Sequence, residues 1–384
     1  MEFMGYKRDD GRYGVRNYVM VISSVSCANG VADAIGREIP EAIIITHGYG
    51  CGFGSREDYA TCLNVLAGMA NNPNVGAVLV VGLGCEGLNS QTIVDRIKDR
   101  PVQKLVIQED GGSKATTEKG LKIVKEFKEE LDKQKRVPVP VSELVVGLEC
   151  GGSDALSGIT ANPSVGNAAD RLVQEGATVI LGETTEMIGT AHILKKRGAT
   201  TEIGVQIEDL VNDQERQVKE ALGERAGMVI APGNIEGGLS SITEKSLGCI
   251  MKAGTTPVNQ VVKYAERPEK KGLIIMDTPG YDIDSMAAFA GGGAQIIVFT
   301  TGRGSAAGFP AIPVIKVASN SRTYNRMPGD MDVNAGIIVD EGKTIQDVGK
   351  DIYEMVVEVA NGKVTCAENN RSVPFNYMKT GPTF

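Results

Sequence analysis

The sequence predicts an α/β fold built on parallel sheets, and two observations support this prediction. Short apolar runs rich in β-branched residues recur along the 384-residue chain, and most are followed by a segment with helical periodicity. These runs are continuously apolar, which is typical of strands that are covered on both faces. The ten predicted strands are Tyr18 to Ile22, Ala42 to Ile45, Ala77 to Val81, Lys104 to Ile107, Leu144 to Gly147, Thr178 to Leu181, Met228 to Ala231, Leu273 to Met276, Gln295 to Phe299 and Val314 to Val317.

The chain is predicted to form two domains that meet near residue 140. A charged helical segment gives way there to Val137-Pro138-Val139-Pro140, which must be extended because proline restricts the residue before it. Residues 1–140 are expected to form an N-terminal α/β domain, and residues 141–384 a second, C-terminal domain. The last segment, Ser372 to Phe384, shows no clear periodicity and is predicted to be a C-terminal arm.

Composition and charge exclude several classes of protein. A net charge of −8 argues against a nucleic-acid partner, because phosphate binding needs concentrated Lys and Arg. Apolar runs such as Leu273 to Met276 are far shorter than the roughly 20 residues that span a bilayer. The N-terminus lacks the basic and apolar segments of a signal peptide. A cytoplasmic location without a membrane partner is therefore predicted, and the seven cysteines are not expected to form disulfides.

Polar, glycine-rich turns follow almost every predicted strand at its carboxyl end. Open α/β sheets bind their ligands at that edge. The nine turns therefore predict one functional edge. They are Ser23 to Cys27, Thr46 to Gly52, Gly82 to Glu86, Gln108 to Gly112, Glu149 to Asp154, Gly182 to Glu186, Asn234 to Ser241, Asp277 to Gly280 and Thr300 to Ser305.

Three of these turns indicate a metal site. Cys51, Cys85 and Cys150 each lie in a glycine-flanked turn beside a histidine or a glutamate. Thiolate, imidazole and carboxylate groups are ligands for iron or zinc. The predicted metal ligands are therefore His47, Cys51, Cys85, Glu86, Glu149 and Cys150, with Cys27 as a weaker candidate. The alternative for a cysteine is a buried apolar role, which is the interpretation for Cys62 and Cys249 because both lie in helical patterns.

Two glycine-rich segments resemble anion cradles, Gly302-Arg303-Gly304-Ser305 and Gly111-Gly112-Ser113-Lys114. In the first, Arg303 is predicted to clamp a carboxylate, and the alternative is a surface salt bridge. The chain has neither a Walker motif nor a dinucleotide-binding glycine motif, so ATPase and NAD-dependent dehydrogenase functions are poorly supported.

Several long segments between Gly5 and Asn361 match a known pattern. They are Gly5-Tyr6, Asp10 to Arg12, Val15 to Tyr18, Thr46 to Gly48, Gly50 to Gly52, Cys150 to Asp154, Gly158 to Pro163, Glu244 to Gly248, Gly254 to Pro257, Met276 to Gly280, Phe299 to Ser305 and Asp330 to Asn334. Over these segments the chain resembles the UxaA family, which includes altronate dehydratase, D-galactarate dehydratase and the large subunit of sulfolactate sulfo-lyase.

The resemblance implies a dimerising α/β domain followed by a Rossmann-like domain with a mostly parallel sheet. It also implies lyase chemistry on sugar acids and a divalent metal, commonly iron (Fe²⁺). Fused members of the family carry a small β-clip domain of the SAF type ahead of the region that begins here at Gly5-Tyr6. A separate small SAF-domain subunit is therefore expected as a partner, and the chain is expected to form a homo-oligomer, most simply a dimer.

Removing water from a hydroxy-carboxylic acid requires a cation to stabilise the deprotonated acid and a base tuned near neutrality. We hypothesise that the required cation is a metal held by the ligands predicted above. Lys245 or Glu183 is predicted to act on the proton, with His47 as a further acid/base candidate. The predicted substrate-binding residues are Ser153, Asp154, Asn162, Thr301, Arg303, Gly304 and Ser305. The enol product would then ketonise to a 2-keto acid.

Three alternatives remain open at the level of the sequence. Several sugar-acid dehydratases have a Gly-Cys-x-Pro turn where this chain has Gly308-Phe309-Pro310, and this departure favours cleavage of sulfolactate to pyruvate and sulfite. A non-catalytic sugar-acid-binding protein would be expected to have lost its polar strand-end residues, which are present here. An oxidoreductase or iron–sulfur scaffold would be indicated if the purified protein were brown.

Overall fold

The computed structural model describes residues 1–384, except for the side chains of residues 227 and 228. The strands are β1 Glu2–Lys7, β2 Tyr13–Gly14, β3 Tyr18–Ser23, β4 Ile43–Ile45, β5 Val75–Gly82, β6 Val102–Val106, β7 Val137–Pro140, β8 Val145–Cys150, β9 Thr178–Leu181, β10 Val258–Val262, β11 Gly272–Met276, β12 Ile296–Thr301, β13 Val314–Ala318 and β14 Val333–Asn334. The helices are α1 Asn29–Glu38, α2 Arg56–Ala70, α3 Ser90–Val94, α4 Gly112–Asp132, α5 Ala161–Gln174, α6 Ala191–Leu194, α7 Thr201–Leu222, α8 Pro232–Glu236, α9 Ile242–Cys249, α10 Asp282–Gly291, α11 Ser321–Arg326, α12 Ile337–Asp340, α13 Ile345–Ala360 and α14 Cys366–Asn369. Among the described residues, no helix is both long enough and apolar enough to cross a membrane.

Two parallel sheets form the framework. The smaller has the order β4-β3-β5-β6, and the larger has the order β10-β11-β9-β8-β12-β13-β14. All strand pairs in both sheets are parallel. A third, antiparallel sheet joins β1 to β2 and β7. The predicted α/β fold with a mostly parallel C-terminal sheet is therefore confirmed.

Nine of the ten predicted strands are present. The tenth prediction, a strand from Met228 to Ala231, is wrong for Val229 to Ala231, which form no strand. Met228 lies outside the described side chains. The segment leads instead into α8, because Pro232 takes the first helical position and its fixed φ favours a helix start.

The two parallel sheets share a hydrophobic core. One face of β3 and β5 packs on α1 and α4. Their other face packs in one hydrophobic cluster with α2, α10 and one face of the larger sheet. Helices α2 and α10 pack directly against each other. The opposite face of the larger sheet is covered by α5, α7 and α13. Apolar residues on both faces explain why the strands are continuously apolar in sequence.

Segments from both ends of the chain tie the two sheets together. Phe3 and Val15 lie in the core of the larger sheet, although they precede the first strand of the smaller one. The predicted C-terminal arm contacts α2 beside the smaller sheet. Asp58 of α2 accepts hydrogen bonds from the backbone amides of Thr380 at 2.9 Å and Gly381 at 2.8 Å. The arm therefore packs on the N-terminal part of its own chain.

Buried asparagine side chains connect the sheets as well. The side-chain nitrogen of Asn74 donates to the carbonyls of Gln295 and Ala311, both at 2.9 Å, and its oxygen accepts from the Val15 amide at 2.9 Å. These three bonds satisfy backbone groups that would otherwise be buried without partners.

Replacing Asn74 by Ala is expected to destabilise the protein, because each unpaired buried backbone group costs roughly 1–3 kcal/mol. Thermal and urea unfolding should show a lower midpoint for Asn74→Ala. The matched control is Asn64→Ala, at an exposed position of α2, which should change the midpoint little. Equal midpoints for the two variants would contradict the bridging role of Asn74.

Candidate functional site

The candidate site lies where the chain changes direction in the larger sheet. Strand β8 has β9 on one side and β12 on the other, so the connections leave it in opposite directions. Ligands bind at the carboxyl ends of strands at such a point. Cys150 is the last residue of β8. Glu183 follows β9 in a left-handed conformation with a φ of 63°, which is uncommon for a residue other than glycine.

Four side chains that could ligate a metal lie together at the end of β8, and one of them belongs to Cys150. Its Sγ lies 2.9 Å from Oε2 of Glu186 and 3.7 Å from Sγ of Cys249. Oε1 of Glu183 lies 3.8 Å from the same sulfur, and Oε2 of Glu183 accepts a hydrogen bond from the Cys150 amide at 2.9 Å. One ligand atom from each of the four residues lies within 4.8 Å of the others, and all four residues are buried.

Two lysines balance the charge of this buried cluster. Nζ of Lys252 lies 2.5 Å from Oε2 of Glu183, and both side chains are fully buried. Lys245 on α9 forms a second ion pair, with Oε1 of Glu186. Two carboxylates and two ammonium groups compensate each other, which is the condition for keeping charges in an interior of low dielectric constant.

The cluster changes the proton affinity of its members. The hydrogen bond with Cys249 and burial raise the pKa of the Cys150 thiol well above its usual value. Burial and the charge of Glu186 raise the pKa of Glu183 to about 7. Burial would also raise the pKa of Glu186, but attraction by Lys245 and Lys252 lowers it below its usual value. Burial would lower the pKa of Lys245, but the negative charge of Glu186 raises it, so the ammonium is protonated at neutral pH.

Two more carboxyl groups adjoin the cluster. Glu149 accepts a hydrogen bond from Oγ of Ser285 at 2.7 Å, while its Oε1 is buried without a partner. Burial and the charge of Glu183 raise the pKa of Glu149 well above its usual value. Asp282 begins α10 and lies so close to Gly151 that a Cβ there would overlap its carboxylate. Burial and the charge of Glu186 raise the pKa of Asp282 to about 6.

The donor set of the cluster fits a divalent metal ion. Two thiols and two carboxylates match the sulfur and oxygen ligands that zinc and iron accept. The carboxylates already pair with Lys245 and Lys252. Replacing two thiol protons by one divalent cation leaves the net charge of the group unchanged. The ion pairs with the lysines are therefore compatible with a bound ion.

A groove of about 320 Å³ lies beside the cluster, and Lys245 lines it. One wall is the turn from Ser153 to Asn162, and the other is the segment from Glu244 to Met251. Asn162 joins the walls to the sheet, since it donates to the Gly248 carbonyl at 2.9 Å and accepts from Thr300 Oγ1 at 2.7 Å. The protonated amine of Lys245 thus connects the groove with the buried carboxylates.

Three of the predicted substrate-binding residues, Ser153, Asp154 and Asn162, line this groove, and the turn that carries Arg303 is hydrogen-bonded to the adjoining Gly152. The amide of Arg303 donates to the Gly152 carbonyl at 2.7 Å, and Thr301 Oγ1 accepts from the Gly304 amide at 3.0 Å. The side chain of Arg303 is exposed and pairs with Glu236 at 2.7 Å.

Two other groups hold this turn in place. Asp154 accepts hydrogen bonds from Ser157, Ser319 and Asn320 at 2.7–2.9 Å. The fully buried Lys316 donates to the Ser305 carbonyl at 2.8 Å. The predicted residues Asp154 and Ser305 therefore organise the turn through contacts within the protein.

Four of the predicted metal ligands lie at the carboxyl edge of the smaller sheet instead of in the buried cluster. His47 is buried, its Nε2 faces the Ser23 carbonyl at 2.9 Å, and its Nδ1 accepts from the Tyr49 amide at 3.2 Å. Burial lowers the pKa of His47 to about 4, so the ring is neutral at pH 7.

The neighbouring carboxylate, Glu86, is also held by the protein. It accepts hydrogen bonds from Ser24 Oγ at 2.9 Å and from the Gly84 amide at 2.6 Å. Cys51 and Cys85 are exposed on the same edge. Their role as metal ligands stays a prediction.

Sequence reasoning missed four residues of the buried cluster and its surroundings. Cys249 was assigned to packing because it lies in a helical pattern, yet its thiol contacts Cys150. Glu186 lies in a strand-end turn that was identified, but it was not singled out. Asp282 follows another such turn by two residues. Lys252 carries no signal in the sequence, because only the fold shows that it is buried.

Two family models match the chain. The model described as D-galactarate/Altronate dehydratase, C-terminal, matches residues 141–383. The model described as D-galactarate dehydratase/Altronate hydrolase, second domain, matches residues 5–132. Together they account for the regions of both parallel sheets.

Three relatives are similar over nearly the whole chain. Altronate dehydratase of Bacillus subtilis is 35% identical over 99% of this chain and 78% of its own length. Galactarate dehydratase (L-threo-forming) of Escherichia coli is 35% identical over 94% of this chain and 73% of its own. The (2R)-sulfolactate sulfo-lyase subunit beta of Chromohalobacter salexigens is 34% identical over 95% of this chain and 94% of its own.

Replacing Lys252 by Met is expected to destabilise the protein by about 3–5 kcal/mol, because the buried carboxyl group of Glu183 would lose its charged partner and either keep an uncompensated charge or take up a proton. Adding Glu183→Gln to Lys252→Met should restore part of this loss in a urea-unfolding double-mutant cycle. Lys196→Met, at an exposed position, is the control and should be nearly neutral. A double variant that is less stable than Lys252→Met alone would show that the two groups do not compensate each other.

Proposed function

Because the chain belongs to the D-galactarate/altronate dehydratase family, we propose that it is the catalytic subunit of a metal-dependent lyase that removes water from a sugar acid to give a 2-keto acid. The relatives named above are dehydratases and a sulfo-lyase, all of which break a bond by elimination. The cytoplasmic location predicted from the sequence belongs to this proposal.

The observation that carries the proposal is the contact between the groove and the buried cluster. Elimination next to a carboxylate needs a positive charge, a proton donor and a base close to the reacting carbon atoms. Lys245 lines the groove and is held protonated by Glu186. Asp282, whose carboxyl group has a pKa of about 6, could accept a proton near neutrality.

We assign the metal of the enzyme to Cys150, Glu183, Glu186 and Cys249, and retain iron as its identity. This choice keeps Cys150 from the predicted ligands and replaces the others with side chains that meet it in space. A divalent ion there would stabilise the negative charge that develops on the substrate carboxylate. The chain's own contribution is to position the donors and exclude water from them.

The catalytic roles follow from the protonation states. Lys245 is assigned to the leaving group, because its amine is charged and lines the groove. The base is assigned to Asp282, whose carboxyl group has a pKa of about 6 and is partly accessible. Glu183 is fully buried and is assigned to the metal, so the base role predicted for it from the sequence is not retained here. The substrate carboxylate is assigned to Arg303 and the turn that carries it.

One observation favours cleavage of sulfolactate as a second candidate. Phe309, in the turn that departs from the dehydratase pattern, is buried, and its ring lies 6.0 Å from that of Phe375 in the C-terminal arm. The chain also spans 94% of the length of the sulfo-lyase subunit. Elimination of sulfite from sulfolactate would give pyruvate with the same groups.

A small partner subunit also belongs to the proposal, as does a homodimer. The sulfo-lyase relative is named as a beta subunit, which implies a partner for that protein. The groove of this chain has three exposed apolar side chains on its rim, Ile159, Leu247 and Met251. A patch of this kind beside a polar groove is typical of a binding surface. A small SAF-domain subunit that closes the groove would cover it.

Metal binding is expected to depend on both cysteines and on pH. Cys150→Ser and Cys249→Ser should each lose about one bound divalent ion per chain, measured by elemental analysis after anaerobic loading. Cys366→Ser, on α14, is the control. Because the Cys150 thiol is protonated at neutral pH, the affinity should rise by roughly ten-fold per pH unit for each proton released. Unchanged metal content in both variants would contradict the assignment.

Activity is best tested anaerobically with iron(II), with and without the small subunit, on altronate, galactarate and sulfolactate. Keto acid without sulfite would support a dehydratase, and sulfite would identify a sulfo-lyase. Lys245→Met should lower kcat roughly 100-fold or more, as expected for loss of a positive charge that stabilises the leaving group. Lys122→Met, on an exposed face of α4, should not. No product from any substrate would favour a binding protein.

A further inference from the structure

Three exposed cysteines lie outside the buried cluster, at one edge of the smaller sheet. Cys27 follows β3, Cys51 follows β4, and Cys85 follows β5. These strands are adjacent and parallel, so the loops after them leave the sheet at the same edge. Three thiols on three neighbouring loops form a possible ligand set.

The loops are bound to one another. The amide of Ser26 donates to the Tyr49 carbonyl at 2.9 Å, which joins the loop of Cys27 to the loop of Cys51. The amide of Leu88 donates to the Gly50 carbonyl at 2.8 Å, which joins the loop of Cys85 to the same segment. The central loop, with Cys51, therefore contacts both of the others directly.

Glycine at position 50 makes this contact possible. Gly50 has a φ of 104°, and a Cβ there would overlap the carbonyl oxygen of Ser24 in the neighbouring loop. Gly87 lies on the other side, where an added Cβ would stand 3.6 Å from the Cα of Cys51. Such close backbone approach brings the three thiol-bearing segments to one place on the surface.

The thiols have few partners within the protein. Cys85 has one weak contact, with Nε2 of Gln108 at 3.6 Å. By contrast, Cys62 is buried against the hydroxyl of Tyr377, and Cys366 is only partly exposed. Cys27, Cys51 and Cys85 are therefore free and accessible to a ligand from solution.

The spacing favours a polynuclear ligand over a single ion. Around one tetrahedral zinc, bonds of roughly 2.3 Å place the sulfurs about 3.8 Å apart. Among the described residues, the group whose ligand atoms lie within 4.8 Å of one another is the buried one around Cys150. Cys27, Cys51 and Cys85 do not form a group within that limit. Thiolates that bind different irons of one cluster are separated by the cluster itself.

We propose that Cys27, Cys51 and Cys85 bind a [4Fe–4S] cluster at this edge of the smaller sheet. His47 is nearby, but both of its ring nitrogens are engaged by backbone groups, so it does not supply a fourth ligand. One iron is then left with an exchangeable oxygen ligand, such as water or the oxygen of a hydroxy acid. The proposal does not rest on the role assigned to the buried cluster.

The test uses the full chain, purified anaerobically and reconstituted with iron(II) and sulfide under reducing conditions. Iron, acid-labile sulfide and the electron paramagnetic resonance signal of the reduced protein are measured. We expect about four sulfides per chain, as for a single cluster of this type. Cys27→Ser, Cys51→Ser and Cys85→Ser should each lose at least half of the sulfide, and the triple variant should lose all of it.

Two controls separate this site from the buried one. Cys366→Ser and Cys150→Ser should keep the full sulfide content, because an ion held by Cys150 and Cys249 brings no acid-labile sulfide. Circular dichroism checks that each variant is folded, and Cys→Ala versions replace any that are not. A wild-type chain without sulfide would overturn the proposal. So would a triple variant that retains sulfide, or a loss of sulfide confined to Cys150→Ser.

Discussion

The ion pair between Glu183 and Lys252 is the interaction on which the site in the larger sheet depends. Both side chains are fully buried, so neither charge could remain in the interior without the other. The pair connects the end of β9 to the segment after α9. Lys245 forms a second ion pair, with Glu186 of the same cluster. Two balanced pairs keep thiols and carboxylates packed behind the last residue of β8. Without this balance, the carboxyl groups would be neutral and the donor set would be lost.

A second constraint is the core that the two sheets share. Helices α2 and α10 lie between the sheets and belong to one hydrophobic cluster with strands from both. Buried bonds from Asn74 and the anchoring of the C-terminal arm on Asp58 add directional contacts to this core. A change at one sheet is therefore expected to be felt at the other. Two edges that carry thiols thus belong to one packed unit.

The fold alone does not determine which acid is the substrate. Relatives at about the same identity act on altronate, galactarate and sulfolactate, according to their names. Function is set by the groups at the site, since one scaffold can support different reactions. We propose that these groups are the groove, the protonated Lys245 and the turn that carries Arg303. Their separation into a buried cluster and an accessible groove fits an enzyme that keeps its charged donors dry and presents one charge to the substrate.

The sequence alone determined the α/β class, nine strands and the polar turns that follow most of them, because apolar runs and glycine-rich turns are local patterns. The prediction of one functional edge was wrong, because these turns lie at the edges of two separate sheets. The sequence also identified Cys150, Glu183 and Lys245, which lie in or beside such turns. The tertiary structure decided which of the candidates meet. It separated His47 and Cys51 from Cys150, because they follow strands of different sheets. It also added Cys249 and Lys252, whose proximity to Cys150 and Glu183 comes from long-range packing that no local pattern encodes.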